Sequence, residues 1–364
     1  MDTGYLLLSD ITGYTAFLTG SELDHANAIL KSLFETLLAR HTPPLRVTKL
    51  EGDAIFAYLP DGQVYASQAI LDTIQSLYAG FRTAQEAMRL NTTCTCQACR
   101  NIPNLDLKFF IHYGEYIVQS LGGSIELSGP DVILVHRLLK NSVTERTGLR
   151  AYALFTQAAC GKMNAPDFEA GLLPHTETYE YLGETHCRLF DLHAFWEAEK
   201  DSRQARVTPA EADYTFNYRL PAPPALIWDL LTNPQTRVKI LHAASMNVSD
   251  RQAGRIGAGS SYHCDHGTDV TRQQILSWQP FELLTTSDRF ELPLIGTCVL
   301  TNSWHLKPDG DGAELTICYA PLHSEHASRQ ALARLAWKSM GKKMINQGTQ
   351  AGLESIQRLL SERG

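Results

Sequence analysis

The chain has 364 residues, of which 44% are hydrophobic and 20% charged, and a formal net charge of -7. That length is natural for two domains, and the composition suits a soluble globular protein with ordinary cores. The acidic balance and the lack of a lysine/arginine block argue against a nucleic-acid partner or a polybasic membrane anchor, which leaves a small molecule or another protein.

No apolar run approaches membrane-spanning length, and the N-terminus lacks the basic region of a signal peptide. A cytoplasmic location is expected. The eight cysteines are then reduced thiols or metal ligands rather than a disulfide framework.

The first element is a strand at residues 5–8, running into Asp10 in "LLLSDITGYTAFL". Ser21 with Asp24 three residues on forms a capping box, and Ala26, Ile29, Leu30, Leu33, Phe34, Leu37 and Leu38 recur at helical spacing up to Pro43. "LRVTKLEGDAIFAYLP" reads as a hairpin breaking near Glu51 and Gly52. Ile70, Ile74, Leu77, Phe81, Ala84 and Met88 predict a second long amphipathic helix. A cysteine-rich loop, a strand in "LKFFIHYGEYIV" and a third helix over 130–141 follow, then strands in "LRAYALF" and "ETYEYLGETHCRLFDL".

Periodicity is lost in "EAEKDSRQARVTPAEA", which divides the chain into a domain at 1–195, a linker at 196–212 and a second domain at 213–364. The second half opens with a strand and a proline-started helix in "DYTFNYRLPAPPALIWDLLTNP", continues as strands, and ends in a long helical pattern after His323. There is no internal repeat.

Asp10 at a strand end, next to the turn "ITGYT", is placed to bind a hard cation, although an aspartate before a turn more often caps local backbone. Asp53 at the hairpin turn in "KLEGDAIFAY" supplies a second carboxylate, and paired carboxylates on metal ions can activate a hydroxyl and neutralise a triphosphate. Together "SDITGYTAF" and "KLEGDAIFAY" resemble the metal-site motifs of class III adenylate/guanylate cyclases, and "FFIHYGEYIVQSLGG" and "IELSGPDVILVHRLLKN" resemble that family's later strand pair and helix. The similarity covers roughly residues 3–160.

The resemblance implies an α+β architecture: a ferredoxin-like mixed sheet with helices on one face, paired as a homodimer in which each site draws on both protomers. It assigns Mg2+ or Mn2+ to Asp10 and Asp53, and the triphosphate to the turn Ile11, Thr12, Gly13, Tyr14 and Thr15. Lys49 and Glu126 fall where adenine-selective members read the base, which favours ATP as the nucleoside triphosphate. Arg137 falls on the arginine that stabilises the transferring phosphoryl charge. The same alignment puts Ile133 where the family has an asparagine, with Lys140 and Asn141 as alternative donors a turn further on. Two readings follow: a cyclase making cyclic AMP and pyrophosphate, or an inactive domain that binds nucleotide or a partner.

Cys94, Cys96 and Cys99 in "TTCTCQACRN" suit a zinc or an iron–sulfur cluster, with Cys187, His186 or a second protomer's cysteine as the missing ligand; reduced exposed thiols are the alternative. The second half resembles the START-like (SRPBCC, polyketide cyclase-like) helix-grip superfamily, which implies a cavity for an apolar small molecule, or an enzyme acting on a lipid-like one. His263 and Asp265 in "YHCDHG" alternate onto one strand face, with His266 beside them. Trp228, Trp278, Trp304 and Trp337 are expected as core or cavity wall, and Gly341, Gly348 and Gly352 as points of bending or close approach on the last helix.

Overall fold

The computed structural model describes residues 1–41, 43–62, 68–251, 254–267 and 270–362. It contains two compact units, Met1–Ala198 and Glu199–Gly364.

In unit 1, β1 (Asp2–Thr12) is the inner strand on which the rest is built. The two helices that follow it are α1 (Tyr14–Thr19) and α2 (Leu23–His41), and β2 (Arg46–Glu51) and β3 (Ala54–Pro60) form the hairpin. Next come α3 (Ala69–Asn91), α4 (Gln97–Asn101), β4 (Asp106–Leu121), β5 (Ser124–Ser128), α5 (Pro130–Arg137) and α6 (Val143–Thr147). The unit ends with β6 (Tyr152–Thr156), α7 (Gln157–Met163), α8 (Pro166–Ala170), β7 (Leu173–Tyr179), β8 (Gly183–Asp191) and α9 (Leu192–Glu199). The strands are ordered β2-β3-β1-β4-β6-β8-β7, with β5 paired to the end of β4. Among the described residues only β4 and β6 run parallel, so the sheet is mixed.

β1 is apolar on successive residues because both its faces are covered. Leu7 packs with α2 and α3 residues such as Leu33, Leu37, Leu77 and Phe81, while Leu6 and Leu8 pack with Val132, Val135 and Leu138 around α5. Helices therefore lie on both faces of the sheet, which corrects the expectation of one. α5 is also shorter than the 130–141 helix expected. Asn141 ends it, donating to the Leu138 carbonyl at 2.7 Å and accepting from Val143 N–H at 3.0 Å, so the chain turns into α6.

The boundary at 198/199 falls inside the stretch read as a linker. Trp196 belongs to the first core. Downstream, the Glu199 carboxylate pairs with Arg255 at 2.6 Å, and Val207 is buried with its N–H donating to Ser303 Oγ at 2.7 Å. Charge and aperiodicity concealed these anchors.

Unit 2 is an antiparallel sheet ordered β10-β11-β12-β13-β14-β15-β9. β9 (Tyr214–Leu220) leads into α10 (Pro224–Thr232) and α11 (Pro234–Ile240), then β10 (Ser245–Ser249), β11 (Ser261–Asp265), β12 (Val270–Gln279), β13 (Leu283–Leu292), β14 (Gly296–Asp309) and β15 (Gly312–Tyr319). β16 (His323–Ser324) pairs with β14; α12 (Gln330–Ala336), a π turn (Trp337–Gly341) and α13 (Lys342–Ser361) close the unit. Trp228 and Trp278 meet edge to face at 4.9 Å in the core. A cavity of about 320 Å³ lies between α13 and the sheet, walled by Trp304, Ile317, Tyr319, Thr349 and Ile356. At Gly352 a Cβ would stand 3.3 Å from the Ile240 carbonyl, so glycine lets α13 approach α11.

Candidate functional site

Strand register brings the two aspartates together. Asp10 pairs with Ala54 across β1 and β3, and the β2–β3 turn is made by Gly52, at φ +67°, and Asp53. Ile11 N–H donates to the Asp53 carbonyl at 3.0 Å, which fixes the turn against the end of β1. Burial and then the Asp53 charge push the Asp10 carboxyl up to about 6, against the pull of Lys108 on β4, its other cross-strand neighbour. Lys108 is itself lowered by burial, and its ammonium lies 5.3 Å from the Tyr152 ring centre. Two mutually repelling oxygen donors at a half-buried strand end fit a hard divalent cation, whose charge removes the repulsion.

Of the residues expected as a turn after Asp10, Ile11 and Thr12 complete β1 and Tyr14 and Thr15 open α1, with Gly13 between; Ile11 is buried and Tyr14 packs on Phe34 with ring centres 6.5 Å apart. Thr12 donates to the Arg150 carbonyl at 3.3 Å, and Thr15 is exposed. Gly13 has φ +86°, and a Cβ there would stand 2.9 Å from the Asn104 carbonyl oxygen, so both backbone shape and space demand glycine.

Lys49 on β2 and Glu126 on β5 form an ion pair at 2.8 Å. Lys49 also meets Glu51 at 3.0 Å, and Glu51 meets His136 on α5 at 3.1 Å. Hydrogen bonding to Glu126 and then Glu51 raises the Lys49 ammonium, so it stays charged. Sequence reasoning missed Glu51 and His136; the alternation that puts Glu51 on the same side of β2 as Lys49 was the available signal.

Arg137, Ile133 and Lys140 are exposed. Arg137 makes no side-chain ion pair or hydrogen bond among the described residues, so it is not brought into contact with the aspartates within one chain. Asn141 is held in the turn after α5: its amide donates to Leu138, and its oxygen accepts from Val143 and from Tyr152 Oη at 2.8 Å. α5 is anchored at its start by Asp131, which accepts from Glu115 N–H at 2.6 Å and occupies the space a Gly114 side chain would need.

Cys94, Cys96 and Cys99 come together with a residue the sequence did not single out, His25 in the first turn of α2. Two of the suggested fourth ligands, Cys187 and His186, lie elsewhere. Cys187 is buried on β8, and His186 sits beside Glu184 at 3.9 Å and Thr176 at 3.3 Å. In unit 2, His263 bonds Ser249 Oγ at 2.8 Å and Asp265 accepts Gly267 N–H at 2.8 Å, so "YHCDHG" builds no shared site among the described residues.

A family model described as "Protein of unknown function (DUF2652)" matches residues 30–147. Among solved structures, the guanylyl cyclase Cya2 is 14% identical, with 52% of this chain and 93% of that chain covered at a TM-score of 0.41. The guanylate cyclase domain of RhGC from Catenaria anguillulae, in complex with GTP, is 16% identical, with 52% and 95% covered at a TM-score of 0.37. The "Uncharacterized protein Rv2561/Rv2562" of Mycobacterium tuberculosis is 33% identical over 172 residues, which span 47% of this chain and 73% of that protein. The chain belongs to the family of that mycobacterial protein.

Proposed function

We propose that unit 1 is a class III cyclase-like domain that binds ATP with Mg2+ or Mn2+ and converts it to cyclic AMP and pyrophosphate. In this reading unit 2 is a START-like, helix-grip domain that senses an apolar small molecule, in a cytoplasmic signalling protein. No helix among the described residues is long and apolar enough to cross a membrane. The observation that carries the reading is the convergence of Asp10 and Asp53 at one sheet end, with the Lys49–Glu126 pair on strands of the same unit.

When bound, a divalent cation supplies the positive charge that polarises the triphosphate and eases ionisation of the ribose 3′-hydroxyl. Asp10 and Asp53 hold it, and the backbone of 11–15 receives the phosphates. Lys49 donates to a purine ring nitrogen and Glu126 accepts from the exocyclic amine, exchanging their bond to each other for bonds to adenine. Arg137, without a side-chain ion pair or hydrogen bond among the described residues, serves a site completed by a second copy. Exposed Ile117, Val118, Ile125 and Ile133 give that copy apolar surface to cover. In unit 2, the cavity walled by Trp304, Ile317 and Ile356 presents Tyr319 and Thr349 as polar contacts within an apolar lining.

A second reading, nucleotide binding without turnover, is favoured by Ile133, whose side chain donates no hydrogen bond, and by the commitment of Asn141 to the α5–α6 turn. Incubating the purified protein with each ribonucleoside triphosphate and Mg2+ or Mn2+, with mass-spectrometric detection, separates the two. Cyclic AMP formed by the wild type and not by Asp53→Ala supports the cyclase; no cyclic product from folded dimer supports the second reading.

A further inference from the structure

The Cys94, Cys96, Cys99 and His25 set is remote in role from the nucleotide reading and does not depend on it. Its four ligand atoms lie within 4.8 Å of one another, with His25 Nδ1 at 3.2 Å from Cys96 Sγ and 3.6 Å from Cys94 Sγ. A tetrahedral zinc, with bonds of about 2.3 Å to sulfur and about 2.0 Å to nitrogen, spaces its ligands about 3.5 Å for a sulfur–nitrogen pair and about 3.8 Å for two sulfurs. The two histidine–sulfur spacings, 3.2 and 3.6 Å, bracket the single-ion value. An iron–sulfur cluster inserts several irons between its ligands and needs a wider set.

The surroundings hold the ligands in place. Cys96 caps α4 by accepting Cys99 N–H at 3.4 Å, and Thr92 Oγ1 takes Cys94 N–H at 3.3 Å while donating to Cys99 Sγ at 3.6 Å. Glu22, just before α2, accepts Gln97 N–H at 3.2 Å and Ala98 N–H at 3.1 Å, and Ala98 is fully buried in the unit 1 core. Gln85 on α3 donates to the Ile102 and Leu105 carbonyls at 3.0 and 2.8 Å. The loop is thus tied to both long helices before any ion binds, which is how outer contacts orient metal ligands.

We propose that His25, Cys94, Cys96 and Cys99 form a structural Cys3His zinc site that clamps the start of α2 to the 92–105 connection. The clamp also has a consequence for the turn after β1. The same connection ends at Asn104, whose carbonyl stands against Gly13, so the ion steadies the wall on which that turn rests.

The test uses the full chain purified without chelator. Elemental analysis is expected to find about one zinc per chain, and cobalt(II) in its place to give the visible bands of a tetrahedral thiolate–imidazole site. His25→Ala, at an exposed helix position compatible with folding, is expected to weaken zinc binding at least about tenfold. His25→Cys is expected to retain zinc and shift the cobalt spectrum toward four sulfurs. Chelation is expected to speed proteolysis within 92–104. Folded protein that takes up no zinc, that yields iron with sulfide instead, or that binds zinc equally well after His25→Ala overturns the assignment; unchanged proteolysis on chelation overturns the clamp.

Discussion

Unit 1 places two sets of ligand atoms on one fold, and they are built in opposite ways. Asp10 and Asp53 are hard oxygen donors that meet because neighbouring strands are in register, and burial first, then the Asp53 charge, raises the Asp10 carboxyl. Cys94, Cys96, Cys99 and His25 are soft donors gathered from a helix start and a loop by bonds from Glu22, Thr92 and Gln85. In the proposed reading, one unit keeps an electrostatically strained site for an exchangeable, substrate-borne cation and a relaxed one for a permanent ion. Ligand softness, not proximity to the sheet, decides which is which.

The sharpest way to break this contrast is to remove one site and look for damage to the other. Asp53→Ala is expected to abolish divalent-dependent nucleotide binding in a calorimetric titration while its zinc content stays unchanged. Loss of zinc in that variant would show that the sites are not separate.

A smaller effect concerns stability without divalent ions. Asp10 has its carboxyl raised from 3.8 to about 6 in the folded protein, so between those values the folded state binds more protons than the unfolded one. Its contribution is full below pH 3.8 and is lost as pH rises through 6. At pH 7 the ionised group costs about 3 kcal/mol, at roughly 1.4 kcal/mol for each tenfold change in proton affinity. His41, bonded to Ser9 and to the Leu37 carbonyl, is lowered by burial from 6.5 to about 4 against the pull of that carbonyl, and acts in the opposite sense. Stability from His41 falls as pH drops from 6.5 to 4. The two nearly cancel in the wild type, so Asp10→Asn should both raise metal-free stability at pH 7 and expose a profile that climbs with pH between 4 and 6.5. Urea unfolding of unit 1 across that range checks it; a variant no more stable at pH 7 would show that Asp10 carries no strain.

The smallest effect is on base choice. Lys49→Gln is expected to reduce the preference for ATP over GTP by about tenfold, or about 1.4 kcal/mol, without touching zinc content. Competition binding with the two nucleotides measures it, and an unchanged ratio would detach the Lys49–Glu126 pair from base reading.

Features set by local pattern were the legible ones. The apolar run before Asp10 and the Gly52–Asp53 turn placed both aspartates at strand ends because strand period and turn chemistry are local. The meeting of Lys49 with Glu126, 77 residues apart, was accessible through motif resemblance alone, and the structure sets them at 2.8 Å. His25 was not accessible, since a single histidine on an exposed helix face carries no mark of ligands 69 or more residues away. The end of α5 was overrun because Val135, Leu138 and Leu139 keep helical spacing through a turn that Asn141 bends. The supposed linker looked solvated because its anchors, Glu199 on Arg255 and the backbone of Val207 on Ser303, are polar.

The central claim is that Asp10 and Asp53 bind a divalent cation together with a nucleoside triphosphate. Calorimetric titration of wild-type protein with a non-hydrolysable ATP analogue, with and without Mn2+, tests it directly. Saturable binding that requires Mn2+ is the expected result. Binding of equal strength without the cation, or none with it, would contradict the claim.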